Sequence, residues 1–279
     1  MTDSGTYGSA FDSSLETLAI DVVRGLAMDA PHAARSGHQG TAMALAPLAH
    51  VLWTRILTYD AADPTWPDRD RFILSAGHAS ILLYSMLYLT GHGLTLDDIR
   101  AFRQWGSATP GHPEVGHTAG VEVTTGPLGQ GLANGVGMGI GERNLRARFG
   151  SELTDHHTFV ICGDGDLAEG ISHEAASLAG HQGLGRLVVV YDDNHVTIDG
   201  PAELALSDDA AARFAAYDWH VIDLGDAAED VSELFRIPVT PLLPAGRIER
   251  DNPPARQITA AVIESLTDLA AGGRAPRLL

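Results

Sequence analysis

A chain of 279 residues with 44% apolar and 19% charged residues suits a globular protein with a sizeable buried core rather than a disordered one. Its net charge of −18 argues against a general binder of nucleic-acid backbones, and its single cysteine, Cys162, leaves no intrachain disulfide and no zinc–thiolate cluster. All 18 basic residues are arginine, which removes lysine Schiff-base chemistry, pyridoxal-phosphate enzymes and the P-loop lysine together.

In chain order, apolar residues at helical spacing predict a helix from Ser13 to about Met28, with Ser13 and Glu16 as a capping box. The loop Arg35-Ser-Gly-His-Gln-Gly40 precedes a second helix, about 41–57. Phe72-Ile-Leu-Ser75 reads as a short buried strand, and Gly77-His78 opens a helix to about Leu89. A short helix covers Thr95 to Arg103, and 105–126 is rich in loops. Pro127 to Phe149 reads as a long helix whose glycines at 129, 131, 135, 137, 139 and 141 predict very close packing. Thr158–Cys162 is an apolar strand, Leu167–Gln182 a helix, Leu187–Tyr191 a second continuous apolar strand, Asp208–Tyr217 a helix and His220–Asp223 a third strand. This alternation predicts an α/β fold: a doubly wound parallel sheet with helices on both faces, with ligands beyond the carboxyl ends of its strands. Residues 1–225 are read as one domain. Residues 226–279 are a proline-rich tail with an irregular stretch, 226–257, and a terminal helix, 258–270; five of the 14 prolines fall between Pro238 and Pro254.

Two strand ends carry the chemistry. Gly163-Asp-Gly165 follows one strand and Asp192-Asp-Asn194 the next, 30 positions apart between Asp164 and Asn194, about one strand-to-strand crossover. A carboxylate, an amide oxygen and a backbone carbonyl would form a hard oxygen site for a divalent cation that shares phosphate oxygens and water. Gly163 and Gly165 would let backbone N–H groups approach that phosphate. Taken singly, Asp-Gly and Asp-Asn are ordinary turns after strands. Six of the 13 histidines follow a glycine: His38, His78, His92, His112, His117 and His181. Imidazole after a sharp turn suits acid–base work, and capping of loops is the structural alternative. Gly135-Val-Gly-Met-Gly139 could suggest a dinucleotide-binding dehydrogenase, but it lies inside a helix rather than after a strand.

The strings Ser36-Gly-His-Gln-Gly40, Asp70-Arg-Phe-Ile-Leu-Ser-Ala-Gly-His78, Thr109-Pro-Gly-His-Pro-Glu114, Gly120–Gly131, Glu169-Gly-Ile-Ser-His-Glu174 and Tyr191–Gly200 resemble the thiamine-diphosphate enzymes, specifically the transketolase family. The resemblance is dense from about residue 13 to 224. It implies that Asp164 and Asn194 hold Mg²⁺ or Ca²⁺ with the carbonyl of Val196. Gly126, Leu128, Gly163, Gly165 and Ile198 would line thiamine diphosphate. His38, His78 and His112 would face the sugar substrate and reacting carbon, where imidazole can move protons near neutral pH, and Glu169 would lie at a dimer interface near a partner's catalytic glutamate. His195 departs from the basic residue usual between Asn194 and Val196.

The resemblance stops where the family continues. Full transketolases are more than twice this length, and their second domain supplies the glutamate that activates the cofactor and the arginines that hold the sugar phosphate. Two readings follow. One is the diphosphate-binding half of a transketolase, moving a two-carbon ketol unit between sugar phosphates with a pyrimidine-binding partner chain or as a homodimer. The other is a truncated, non-catalytic remnant that binds thiamine diphosphate and metal. Neither reading involves nucleic acid or a membrane, and a cytoplasmic location is expected: no apolar run nears the roughly 18 residues of a membrane span, and the N-terminus lacks a secretory pattern.

Overall fold

The computed structural model describes residues 13–224 except 199. A three-stranded parallel sheet organises it: β1 (Arg71–Leu74), β2 (Thr158–Gly163) and β3 (Leu187–Asp192), in the spatial order β1-β2-β3. Phe72 pairs with Phe159 and Val160 with Val189. Successive side chains leave opposite faces of a strand, so the sheet feeds two cores. Phe72, Leu74, Phe159 and Ile161 join one; Ile73, Val160 and Cys162 join the other. The central strand β2 is buried along nearly its whole length, which is why it reads as an unbroken apolar run.

One face is covered by α1 (Ser13–Ala34), the short α2 (Gly40–Ala44) and α3 (Ala46–Val51), and α4 (Ser80–Leu89). The other is covered by α6 (Gln130–Phe149) and α8 (Gly170–Gln182). Between them in the chain lie α5 (Leu96–Arg100) and α7 (Asp164–Ala168), followed later by a two-residue hairpin, β4 (Val196–Thr197) with β5 (Gly200–Pro201), and α9 (Ala210–Ala216). The architecture is the expected α/β fold with a parallel sheet and helices on both faces.

Several sequence expectations are corrected. The helix expected over 41–57 is broken: Leu45 leaves helical geometry (φ −87°, ψ 6°), Pro47 enters at the start of α3, and Leu52–Ile56 widens to a π-turn with Leu57 N–H on the Leu52 carbonyl at 2.8 Å. A proline ring cannot follow a helical carbonyl four residues back. The Glu16 carboxylate is buried between His50 and Arg55. His220–Asp223 forms no strand, and Val221 and Ile222 stand exposed without a ladder partner. The tail expected over 226–279, with its terminal helix, lies outside the described residues.

The glycines of α6 set its distance from the sheet. A Cβ at Gly131 would lie 2.4 Å from Ser75 Cα, and one at Gly135 would lie 2.5 Å from Val160 Cγ2. Gly137 and Gly141 face open space instead.

Candidate active site

The carboxyl ends of β2 and β3 are neighbours: Gly163 pairs with Asp192. Asp164 therefore opens α7 directly beside the β3 end. It is 5% exposed, and its carboxylate accepts the Tyr191 phenol at 2.6 Å and the His195 N–H at 3.1 Å. The same phenol lies 2.9 Å from an Asp193 oxygen, yet it has one proton to give. Burial, then the hydrogen bonds to Asp164 and Asp193, push Tyr191 well above the ordinary phenol value. Burial likewise raises Asp192, helped by the fields of Asp164 and Asp193 and opposed by the Asn194 hydrogen bond. Negative charge is thus concentrated here on hard oxygens, a donor set suited to a divalent cation.

Asn194 sits on the loop that closes over Asp164, but its amide is engaged locally. Nδ2 donates to Asp192 at 2.7 Å and Oδ1 accepts the Val196 N–H at 3.0 Å. His195 takes φ +57° and turns its ring to Glu203, 3.1 Å away. Its backbone, not its imidazole, touches Asp164. Val196 is 64% and Ile198 88% exposed. Among the described residues no three His, Cys, Asp or Glu side chains gather into a metal cage, so a cation here would need amide, carbonyl and ligand oxygens besides Asp164.

The glycine-rich turns form a cradle beside these carboxylates. A Cβ on Gly165 would meet Leu128 Cδ1 at 3.0 Å, and one on Gly77 would meet the Gly126 nitrogen at 2.8 Å. Gly126 takes φ +147°, and a Cβ there would press on the His112 ring at 3.3 Å. The Gly163–Gly165 turn therefore packs on the 126–129 loop, and that loop on the Gly77-His78 turn.

Three histidines from separate loops lie together beside these turns. The His38 and His78 rings are 5.1 Å apart, edge to face. Burial, then the field of His38, lowers His78; burial, then Arg103 and His38, lowers His112. Both shifts favour the neutral imidazole over the imidazolium. His38 Nδ1 is buried without a hydrogen-bond partner among the described residues, an atom left available to a ligand. Glu169 is exposed where α7 meets α8, against Gly129.

Sequence reasoning missed two organising residues. Arg103 donates to Ser36 Oγ at 2.6 Å and approaches the Gly111 carbonyl at 3.4 Å, tying the His38 loop to the His112 loop. Nothing local in the sequence signals so remote a contact. Asp166, 1% exposed, accepts hydrogen bonds from three segments of this end of the sheet. An acidic residue in the first turn of a helix was its available signal.

A family profile described as "Transketolase, thiamine diphosphate binding domain" matches residues 15–253. The chain belongs to the transketolase family. It is 54% identical over 216 residues to the transketolase of Geobacillus stearothermophilus, covering 76% of this chain and 32% of the relative. It is 58% identical over 205 residues to transketolase 2 of Escherichia coli K12, covering 72% and 31%. Among solved transketolases, that of Leishmania mexicana superposes with a TM-score of 0.77 at 48% identity, over 80% of this chain and 33% of that one. The Pichia stipitis transketolase in complex with sedoheptulose 7-phosphate gives 0.76 at 47%, over the same shares. The chain thus spans about a third of the length of these transketolases. Among the described residues no helix is long and apolar enough to cross a membrane.

Proposed function

We propose that this chain is the diphosphate-binding part of a transketolase and that it works with a pyrimidine-binding domain on the same or another polypeptide. The observation that carries the reading is the convergence of Asp164, the Gly126 and Gly165 turns and the three imidazoles at the carboxyl end of the parallel sheet. Asp164, with Asn194 and the Val196 carbonyl, would hold Mg²⁺ or Ca²⁺. Gly163, Gly165, Gly126 and Leu128 would line the diphosphate and the neighbouring ring, with Ile198 as an apolar contact. When bound, thiamine diphosphate supplies a carbon able to take up a two-carbon ketol unit from a sugar phosphate. The chain's own groups then orient and relay protons: His38, His78 and His112 lie together, and the shifts at His78 and His112 favour the neutral form that accepts a hydroxyl proton. Glu169, on the exposed junction of α7 and α8, is placed to meet a neighbouring domain. Exposed Ile140, Leu145 and Phe149 on α6 and Leu178 on α8 are apolar surface that such a neighbour would cover.

A non-catalytic binding protein is the second reading, favoured by the Asn194 amide being satisfied within its own loop. Ketol transfer from xylulose 5-phosphate to ribose 5-phosphate separates the two. The 279-residue chain assayed alone is expected to be silent, and turnover is expected on adding a chain that carries the pyrimidine-binding domain. No turnover in the mixture, with the cofactor bound, would favour the second reading. Turnover by the chain alone would contradict the need for another domain.

A further inference from the structure

Asp166 lies two residues beyond the candidate metal ligand, and neither a cation-binding nor a proton-transfer role accounts for it. One carboxylate oxygen accepts the Ser75 hydroxyl at 2.7 Å and the Gly129 N–H at 2.8 Å. The other accepts the Gly163 N–H at 3.1 Å. Its backbone carbonyl accepts the Ser172 hydroxyl at 2.5 Å. Ser75 in turn accepts the Leu132 N–H at 3.1 Å. These donors come from the end of β1, the start of α6, the end of β2 and the first turn of α8. Asp166, Ser75 and Ser172 are all buried, so no water can replace a lost partner cheaply.

The consequence is geometric. Ser75 is two residues from Gly77, whose Cα packs on the Thr125–Gly126 backbone, and three from His78. Gly129 ends the loop that carries Gly126 and Leu128. Gly163 begins the turn that carries Asp164 and Gly165. One carboxylate therefore holds the cradle side and the imidazole side of the site in a fixed relation. Resting on the function proposed above, we propose that Asp166 is the positioning residue of the cofactor site, locking the Gly163–Gly165 turn, the 126–129 loop and the His78 turn in one register. An amide cannot do the same. Asparagine offers one accepting end, and its NH₂ would confront an N–H or O–H donor at the other.

The charge-neutral variant Ser75→Ala distinguishes positioning from charge. Asp166 lies beside a site that would take the diphosphate together with a divalent cation, so a charge effect alone has no fixed sign, whereas Ser75→Ala loosens the same clamp with the carboxylate kept. A role in folding alone would lower the melting temperature and leave affinity in the folded protein unchanged. Positioning requires weaker binding. The test is calorimetric titration of thiamine diphosphate with saturating Mg²⁺ into the full chain, well below its melting transition. Wild type, Asp166→Asn and Ser75→Ala are compared, with hydrogen exchange at the Gly129 and Gly163 amides measured in the cofactor-free proteins. Asp166→Asn is expected to weaken binding about tenfold or more and to speed exchange at both amides while α9 is unaffected. Ser75→Ala removes one of three donors, so a smaller loss is expected; it carries the test if Asp166→Asn does not fold. Unchanged or tighter binding in a folded variant would overturn the assignment of Asp166 alone. Wild type that binds no thiamine diphosphate would overturn the proposed function and this inference with it, and the exchange rates would still show whether the clamp exists.

Discussion

Glu16 shows how much a single buried charge can matter far from the candidate site. Burial opposes its ionisation, but the hydrogen bond and charge of His50, with Arg55, outweigh that and hold it below the ordinary 4.5. Glu16→Gln would remove the carboxylate charge that the buried His50 and the Arg55 guanidinium, 4% exposed, share. A loss of about 3–5 kcal/mol is expected, read as a fall in the denaturant midpoint; a change within about 0.5 kcal/mol would show that the triad is dispensable. Because the folded value is depressed, this stabilisation is complete above 4.5 and fades as pH falls through the folded value. His92 acts over a higher window. Burial lowers it from 6.5 to about 4, so the unfolded chain takes up a proton before the folded one. Stability should therefore decline between pH 6.5 and 4, by roughly 3 kcal/mol for this group. Urea titrations across that range should show a shallower decline in His92→Gln; an identical slope would mean that His92 is not buried neutral.

At the scale of elements, α6 presents two kinds of glycine, and they should respond oppositely. Gly131→Ala forces a methyl onto the Ser75 backbone, which cannot swing aside as a side chain could. About 3 kcal/mol of destabilisation is expected, and it should disturb the Asp166 clamp through Ser75. Gly137→Ala meets nothing within 4 Å and should stabilise by up to about 1 kcal/mol. Thermal unfolding of the pair checks both signs; equal effects would mean that α6 does not sit on the sheet through its Gly131 face. The legible elements were those whose pattern is local. β2 and β3 declared themselves as apolar runs, and their polar ends marked the site. The break before α3 was also written locally, in Pro47, but strong apolar periodicity on both sides concealed it. The Glu16 contacts to His50 and Arg55 were not legible because those partners lie more than 30 residues away. His220–Asp223 has the composition of a strand, yet β-propensity records fit to a half-buried surface, and here Val221 and Ile222 remain exposed.

For the whole molecule, the three imidazoles that lie together, His38, His78 and His112, each follow a glycine inside a distinctive string, so they could be singled out in the sequence. The residues that tie their segments together could not. Arg103 and Asp166 act through contacts between distant segments, which no spacing rule reveals. On the proposed function, an anionic cofactor at this carboxylate-rich end of an acidic protein would need a cation between it and Asp164. Isothermal titration of thiamine diphosphate into the chain, with and without Mg²⁺ and repeated on Asp164→Ala, tests this most directly. Wild type is expected to bind only when the divalent ion is present, and the folded variant is expected not to bind at all. Binding without the ion, or equal affinity in wild type and Asp164→Ala, would contradict a diphosphate site built on Asp164.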